Sequence, residues 1–236
     1  MQEADWSNIG WYNIAAFGWF IFLWLGYARF ARYQAKRSNK NLSSVMNHLR
    51  KQWMNQLIKR DMRIPDAALI ANLERNVTFL ASSSILVLAG LLTALASTDK
   101  IQAVLVDVPF HMGSTSFLLH IKFFVLILIY AYAFFTFSWS MRQYGFATVV
   151  IGAAPLKEEV EEDPDCAKDF IRASAKVIDM AAHTYNYGLR AYYFSLSVLA
   201  WFINVWFFVA ASTLVVIVLY LREFHSRPLR ELRLLQ

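Results

Sequence analysis

The sequence is short of the residues most soluble chemistry needs. One cysteine, Cys166, stands alone in 236 residues, so no intrachain disulfide can close and no thiolate metal cluster can be built from this chain. There is no G-x-S-x-G elbow, Walker A loop, G-x-G-x-x-G fingerprint or H-E-x-x-H pair. That absence leaves no residue to nominate as catalytic, and no cofactor is expected. The longest apolar stretches hold neither Asp nor Glu, and no proline interrupts them. Ion-coupled transporters keep an ionisable group and broken helices at membrane depth, so these absences weigh against one. The opening MQEADW carries Glu3 and Asp5 where a secretory signal would be basic. The apolar stretch after it therefore reads as a retained span.

What the chain has in quantity is apolar residues: 58% are hydrophobic and 16% aromatic, with a mean hydropathy of +0.37. They gather in charge-poor blocks of the length a bilayer requires. The expected fold is an all-α integral membrane protein with four transmembrane helices, at about 9–30, 77–97, 117–140 and 192–221, and cytoplasmic amphipathic helices in segments 31–76 and 141–191. The last block is the longest. Tyr192 to Leu221 is thirty residues without a charge, about 45 Å of helix against a hydrocarbon core of roughly 30 Å. Trp6, Trp11 and Tyr12 at one end of the first block, with Tyr27 and Tyr33 at the other, suit interfacial belts. Gly18 and Gly26 would let a neighbouring helix approach closely. Lys122 and Arg142, near the ends of the third block, can snorkel to headgroups.

Between the first two blocks, Leu42, Val45, Met46, Leu49, Trp53, Leu57 and Ile58 recur at three- and four-residue spacing, with His48, Arg50, Lys51, Asn55 and Lys59 opposite. Asn41 or Ser43 would cap this helix. It either lies among anionic lipids or docks its apolar face on another helix. Pro65 and Asp66 start the next helix. Later, LKEEVEEDPD reads as a solvated loop. A helix follows from Cys166, with Phe170, Ile171, Val177, Ile178, Ala181, Tyr185 and Leu189 on one face and Lys168, Asp169, Arg172, Lys176 and Asp179 on the other. The tail after Leu221 is expected to fray.

Basic residues set the orientation. With the N-terminus outside, segments 29–75 and 142–190 hold seventeen of the twenty-three Lys and Arg on the cytoplasmic side of the inner (plasma) membrane. Four spans then put the tail outside, where Arg222, Arg227, Arg230 and Arg233 break the rule. The net charge of +6 is placed to meet membrane lipids, and no nucleic-acid partner is expected.

Few residues remain as site candidates. Asn204 is the amide deep in an apolar run, and with Ser82, Ser83 and Ser84 it could line a polar path or make interhelical contacts. His111, His120 and His225 share the outer side under this topology and are the candidate metal ligands. They lack the short helical spacing of a metal pair.

The strings ERNVTFLASSSILVLAGLL at 74–92, FSWSMRQY at 137–144 and HTYNYGLRAYYFSLSVLAWFINVWFF from residue 183, with YLREFHS after it, resemble the membrane family catalogued as domain of unknown function 599. The resemblance covers nearly the whole chain. It implies a multi-span helical membrane protein, and no catalytic residue, cofactor or substrate comes with it. The functional expectation is an accessory, assembly or scaffolding subunit of a membrane complex, associating with other subunits or with itself. An oligomeric channel or transporter for a small solute is the alternative, and a metal- or haem-binding redox subunit a further one.

Overall fold

The computed structural model describes residues 10–37, 41–110, 113 and 115–235. Trp6 and His111 lie outside them. Among the described residues the regular structure is helical: α1 (Trp11–Arg37), α2 (Leu42–Leu57), α3 (Ile64–Ala96), α4 (Thr98–Val106), α5 (Ser116–Gly152), α6 (Lys157–Glu162), α7 (Pro164–Ile203), α8 (Val205–Phe224), α9 (Arg227–Leu232) and a 3-10 turn at Arg233–Leu235. The all-α membrane fold is as expected, and α1, α3, α5 and α8 are each long and apolar enough to cross a bilayer. The chain forms two compact units. One comprises Met1–Lys36, Ser84–Ala133 and Leu189–Arg222, the other Arg37–Ser83, Phe134–Gly188 and Glu223–Gln236.

In the first unit, the block expected as a single span at 192–221 is two helices. α7 stops at Ile203, Asn204 is non-helical, and α8 starts at Val205. The chain reverses there. Trp201 stacks on Phe208, with ring centroids 4.7 Å apart and planes within 7°. Further along, the Arg222 guanidinium donates to the Tyr193 hydroxyl, a residue it would stand about 43 Å from on one straight helix. The reversal resolves the mismatch between a 45 Å apolar run and a 30 Å core, because each leg needs to match the core separately.

α1 lies along α8 in the same direction, with Phe20 against Phe208 at 5.3 Å and Phe30 against Tyr220 at 6.3 Å. Phe20, 1% exposed, also meets Trp24 and Phe194 edge-on. Lipid tails are as apolar as these side chains, so ring packing rather than water exclusion holds this cluster. Gly18 and Gly26 do not serve helix approach: a Cβ built on either meets nothing within 4 Å. Tyr27 is buried beneath the Arg190 guanidinium, 5.3 Å from its ring, so it is not part of an interfacial belt.

The second unit is built around α2. Asn41 is its N-cap, accepting from the Ser44 amide at 2.8 Å, while the Ser43 amide donates to Glu223 at 3.3 Å. Val45, Met54 and Leu57 are fully buried and Ile58 nearly so; α2 docks on protein rather than lying on a lipid surface. Asp66 fixes the start of α3, accepting from Trp53 at 2.6 Å and Arg60 at 2.8 Å. The Arg63 guanidinium donates to the carbonyls of Ala154 and Pro155 just past the end of α5, tying the residue before α3 to that turn. Replacing Leu49 and Trp53 by Asp is expected to detach α2, since an aspartate at 53 would face the buried Asp66 carboxylate. Limited proteolysis should then show new cleavage within residues 41–62.

Three local expectations are corrected. The acidic stretch forms helix α6 over Lys157–Glu162, with the Leu156 amide donating to Glu159 at 2.8 Å. The tail is ordered: Ser226 caps α9 and Leu229 is 1% exposed. Because α9 packs on α2, the tail and the basic connector stand on the same side, not on opposite sides of the membrane. Asp179, assigned to the solvated face of α7, is buried at 2% exposure.

Candidate functional site

Asn204 works as a joint. Its side-chain oxygen accepts from the Trp206 amide at 2.9 Å, capping α8, and its Nδ2 donates to the Phe110 carbonyl at 3.4 Å. Phe110 holds the left-handed φ of 66° that bulky residues rarely adopt, with its ring 6.3 Å from Phe207. The amide singled out in the sequence is therefore spent on turning the chain. The three serines diverge. Ser82 is exposed, Ser83 donates to the Phe79 carbonyl of its own helix at 2.8 Å, and Ser84 meets the Tyr192 hydroxyl at 2.8 Å. Ser84 makes the interhelical contact, and the serines form no common polar path.

Of the candidate metal ligands, His111 lies outside the described residues. His120 lies in the first turns of α5, its Nδ1 2.7 Å from the Ser116 carbonyl, close in sequence to Phe123, whose ring packs on Phe202 at 4.9 Å. That is the Asn204 end of the hairpin. His225 directly follows α8. Among the described residues no three His, Cys, Asp or Glu side chains group as a metal site.

Lys122 was expected to snorkel, but it is 2% exposed. Its ammonium lies 5.7 Å from the Trp201 ring centroid and 5.8 Å from that of Phe202, within cation–π range. Trp201 in turn donates from its indole nitrogen to the buried Asn13 at 2.9 Å. A charge this deep is costly, and Lys122, Trp201 and Asn13 form a polar cluster at the closed end of the hairpin. A single basic residue before nineteen uncharged ones gave no sign of which way it would face.

In the second unit the charged centre is Asp179. Its carboxylate accepts from Arg50 at 2.7 Å, and its other oxygen lies 3.4 Å from His183 Nε2. Burial pushes this carboxyl up, but the hydrogen bond and charge of His183, the charge of Arg50 and a hydrogen bond from Asn47 outweigh it and hold it below the ordinary aspartate value. Ser43 Oγ is also 3.4 Å from His183 Nε2. Serine, histidine and aspartate in one cluster invite comparison with a hydrolytic triad, yet the geometry rejects it. A relay needs the hydroxyl on one ring nitrogen and the carboxylate on the other, whereas here both address Nε2. The cluster ties α2 to α7. The sequence did carry a hint of it, since α2 is cationic with no acidic residue of its own, and a buried pair needs its acid from elsewhere.

A family model described as protein of unknown function, DUF599, matches residues 15–228. The chain belongs to this family. Comparison with curated proteins and with solved structures gave no match. The family match spans both units and both legs of the hairpin, so the Asn204 joint and the Arg50–Asp179 pair both lie within the matched region.

Proposed function

We infer that this member of the family is an accessory, assembly or scaffolding subunit of a complex in the inner (plasma) membrane, with its N-terminus outside. The observation that carries the reading is on α5. Phe135, Trp139, Phe146 and Val149 follow at four-, seven- and three-residue intervals, which places them on one helix face. They are 69%, 51%, 45% and 71% exposed. The uncharged part of α5 runs from Phe123 to Met141, about 28 Å and so one hydrocarbon core. Phe146 and Val149 continue the same stripe past that limit, where lipid tails no longer cover them. An apolar helix face that crosses the membrane boundary fits a helix of another subunit that does likewise.

The hairpin supports that orientation. With α9 on α2, the connector, the acidic stretch and the tail share a side, and only Lys100 and Lys122 of the twenty-three basic residues are left elsewhere. The positive-inside rule supports assigning that side to the cytoplasm. In mild detergent, the native protein is expected to co-purify with partner chains or as an oligomer. Phe146→Ser with Val149→Ser should shift it to a monomer of 27.3 kDa with unchanged helix content. A wild-type protein already monomeric and free of partners in solubilised membranes would overturn this reading.

A further inference from the structure

α1 and α8 enclose an apolar groove of about 450 Å³ whose walls are almost wholly carbon, with Gly26 and Tyr27 on one side and Ile217, Tyr220 and Leu221 on the other. It runs from Phe22 to Phe30 along α1, about 12 Å, close to the depth of one leaflet's hydrocarbon. One end carries fixed positive charge. Arg190 lies over the ring of Tyr27, a groove wall, and Arg222 follows Leu221, its guanidinium 5.3 Å from the Tyr193 ring and bonded to the Tyr193 hydroxyl. Arg29 is exposed on the adjoining flank of α1. Glu223, the nearest acid in sequence, is engaged by the Ser43 amide.

We propose that this groove holds one acyl chain of an anionic phospholipid, with the headgroup phosphate bound at Arg190 and Arg222. A phosphate accepts bidentate bonds from guanidinium groups, and both arginines are already oriented by tyrosine rings, so little freedom is lost on binding. A second copy of the chain is a poorer occupant. A two-fold interface would set this arginine pair against its own duplicate. Under the orientation above, the lipid belongs to the cytoplasmic leaflet; the groove and its charged end do not depend on that assignment.

The test is native mass spectrometry of the full chain, delipidated and then offered phosphatidylglycerol or phosphatidylcholine with identical acyl chains. The wild type is expected to retain phosphatidylglycerol preferentially, and each of Arg190→Gln and Arg222→Gln to reduce that preference about fivefold. Gly26→Leu should abolish retention of either lipid. A Cβ at Gly26 meets nothing within 4 Å, so this variant fills the groove without a clash and keeps the proposal testable if an arginine variant fails to fold. Equal retention of the two lipids by the wild type would overturn the proposal, as would unchanged retention in Gly26→Leu. So would a two-chain mass that Gly26→Leu returns to one chain, since that would assign the groove to a second copy.

Discussion

Arg50→Met is expected to destabilise the protein by about 3–5 kcal/mol, the range for removing one partner of a buried ion pair. The Asp179 side chain is 3% exposed and that of Arg50 15%, so the remaining carboxylate could not recover its hydration without opening the contact between α2 and α7. Asp179→Asn removes the charge while keeping the shape, and should cost less than Arg50→Met because no buried charge is orphaned. The difference between wild type and Asp179→Asn should depend on pH in one direction. The folded-state carboxyl is held below its unfolded value, so its contribution is fully present above the unfolded value near ~4 and is lost as pH falls through the folded one. Melting temperatures in detergent should therefore show a gap at pH about 5 that narrows in more acid buffer. A gap that widened on acidification would show that the pair does not hold the two helices.

Gly188→Leu is the second large effect, about 3 kcal/mol or more. A Cβ at residue 188 would stand 2.5 to 2.8 Å from three carbons of the Phe137 ring. That ring is fully buried and packs against Tyr185 at 5.8 Å, so it has nowhere to move. Even Gly188→Ala should cost about 1–3 kcal/mol, although alanine is the better helix former by about 1 kcal/mol. Gly26→Ala supplies the control: in open space the helix preference acts unopposed, and the change should be neutral or stabilising. Pairing Gly188→Ala with Phe137→Leu should recover about 1 kcal/mol relative to the sum of the single changes. Strict additivity in denaturant unfolding would refute the contact.

Much of this was readable from the residues. Three- and four-residue spacing from Leu42 to Ile58 marked α2, Asn41 was one of its two cap candidates with Ser43, and Asp66 marked the start of α3. These signals are local, so neighbouring side chains suffice to express them. The failures were long-range. Asp179 sits among Lys176, Arg172 and Asp169 and so looked solvated; only the arrival of Arg50 from 129 residues away buries it. The tail was rich in arginine, yet α9 packs on α2 and buries Leu229. The break at Asn204 had an arithmetic warning in the excess length of its apolar run. A polar amide tolerated at a chain reversal looks the same in sequence as one facing a neighbouring helix. Lys122 turned inward because Trp201 and Phe202 come back to meet it, and no spacing within α5 announces that.

The joint at Asn204 also bears on biosynthesis. The uncharged end of α7 preceding it, Ala191 to Ile203, covers about 20 Å, short of the thickness a solitary segment needs to be accepted by the insertion machinery. Under the proposed orientation it would enter folded back against α8, as a loop pushed in from the cytoplasmic side. In that arrangement Arg222, Arg227, Arg230 and Arg233 need not cross the hydrocarbon, a cost of about 2.5–3.5 kcal/mol apiece on insertion scales.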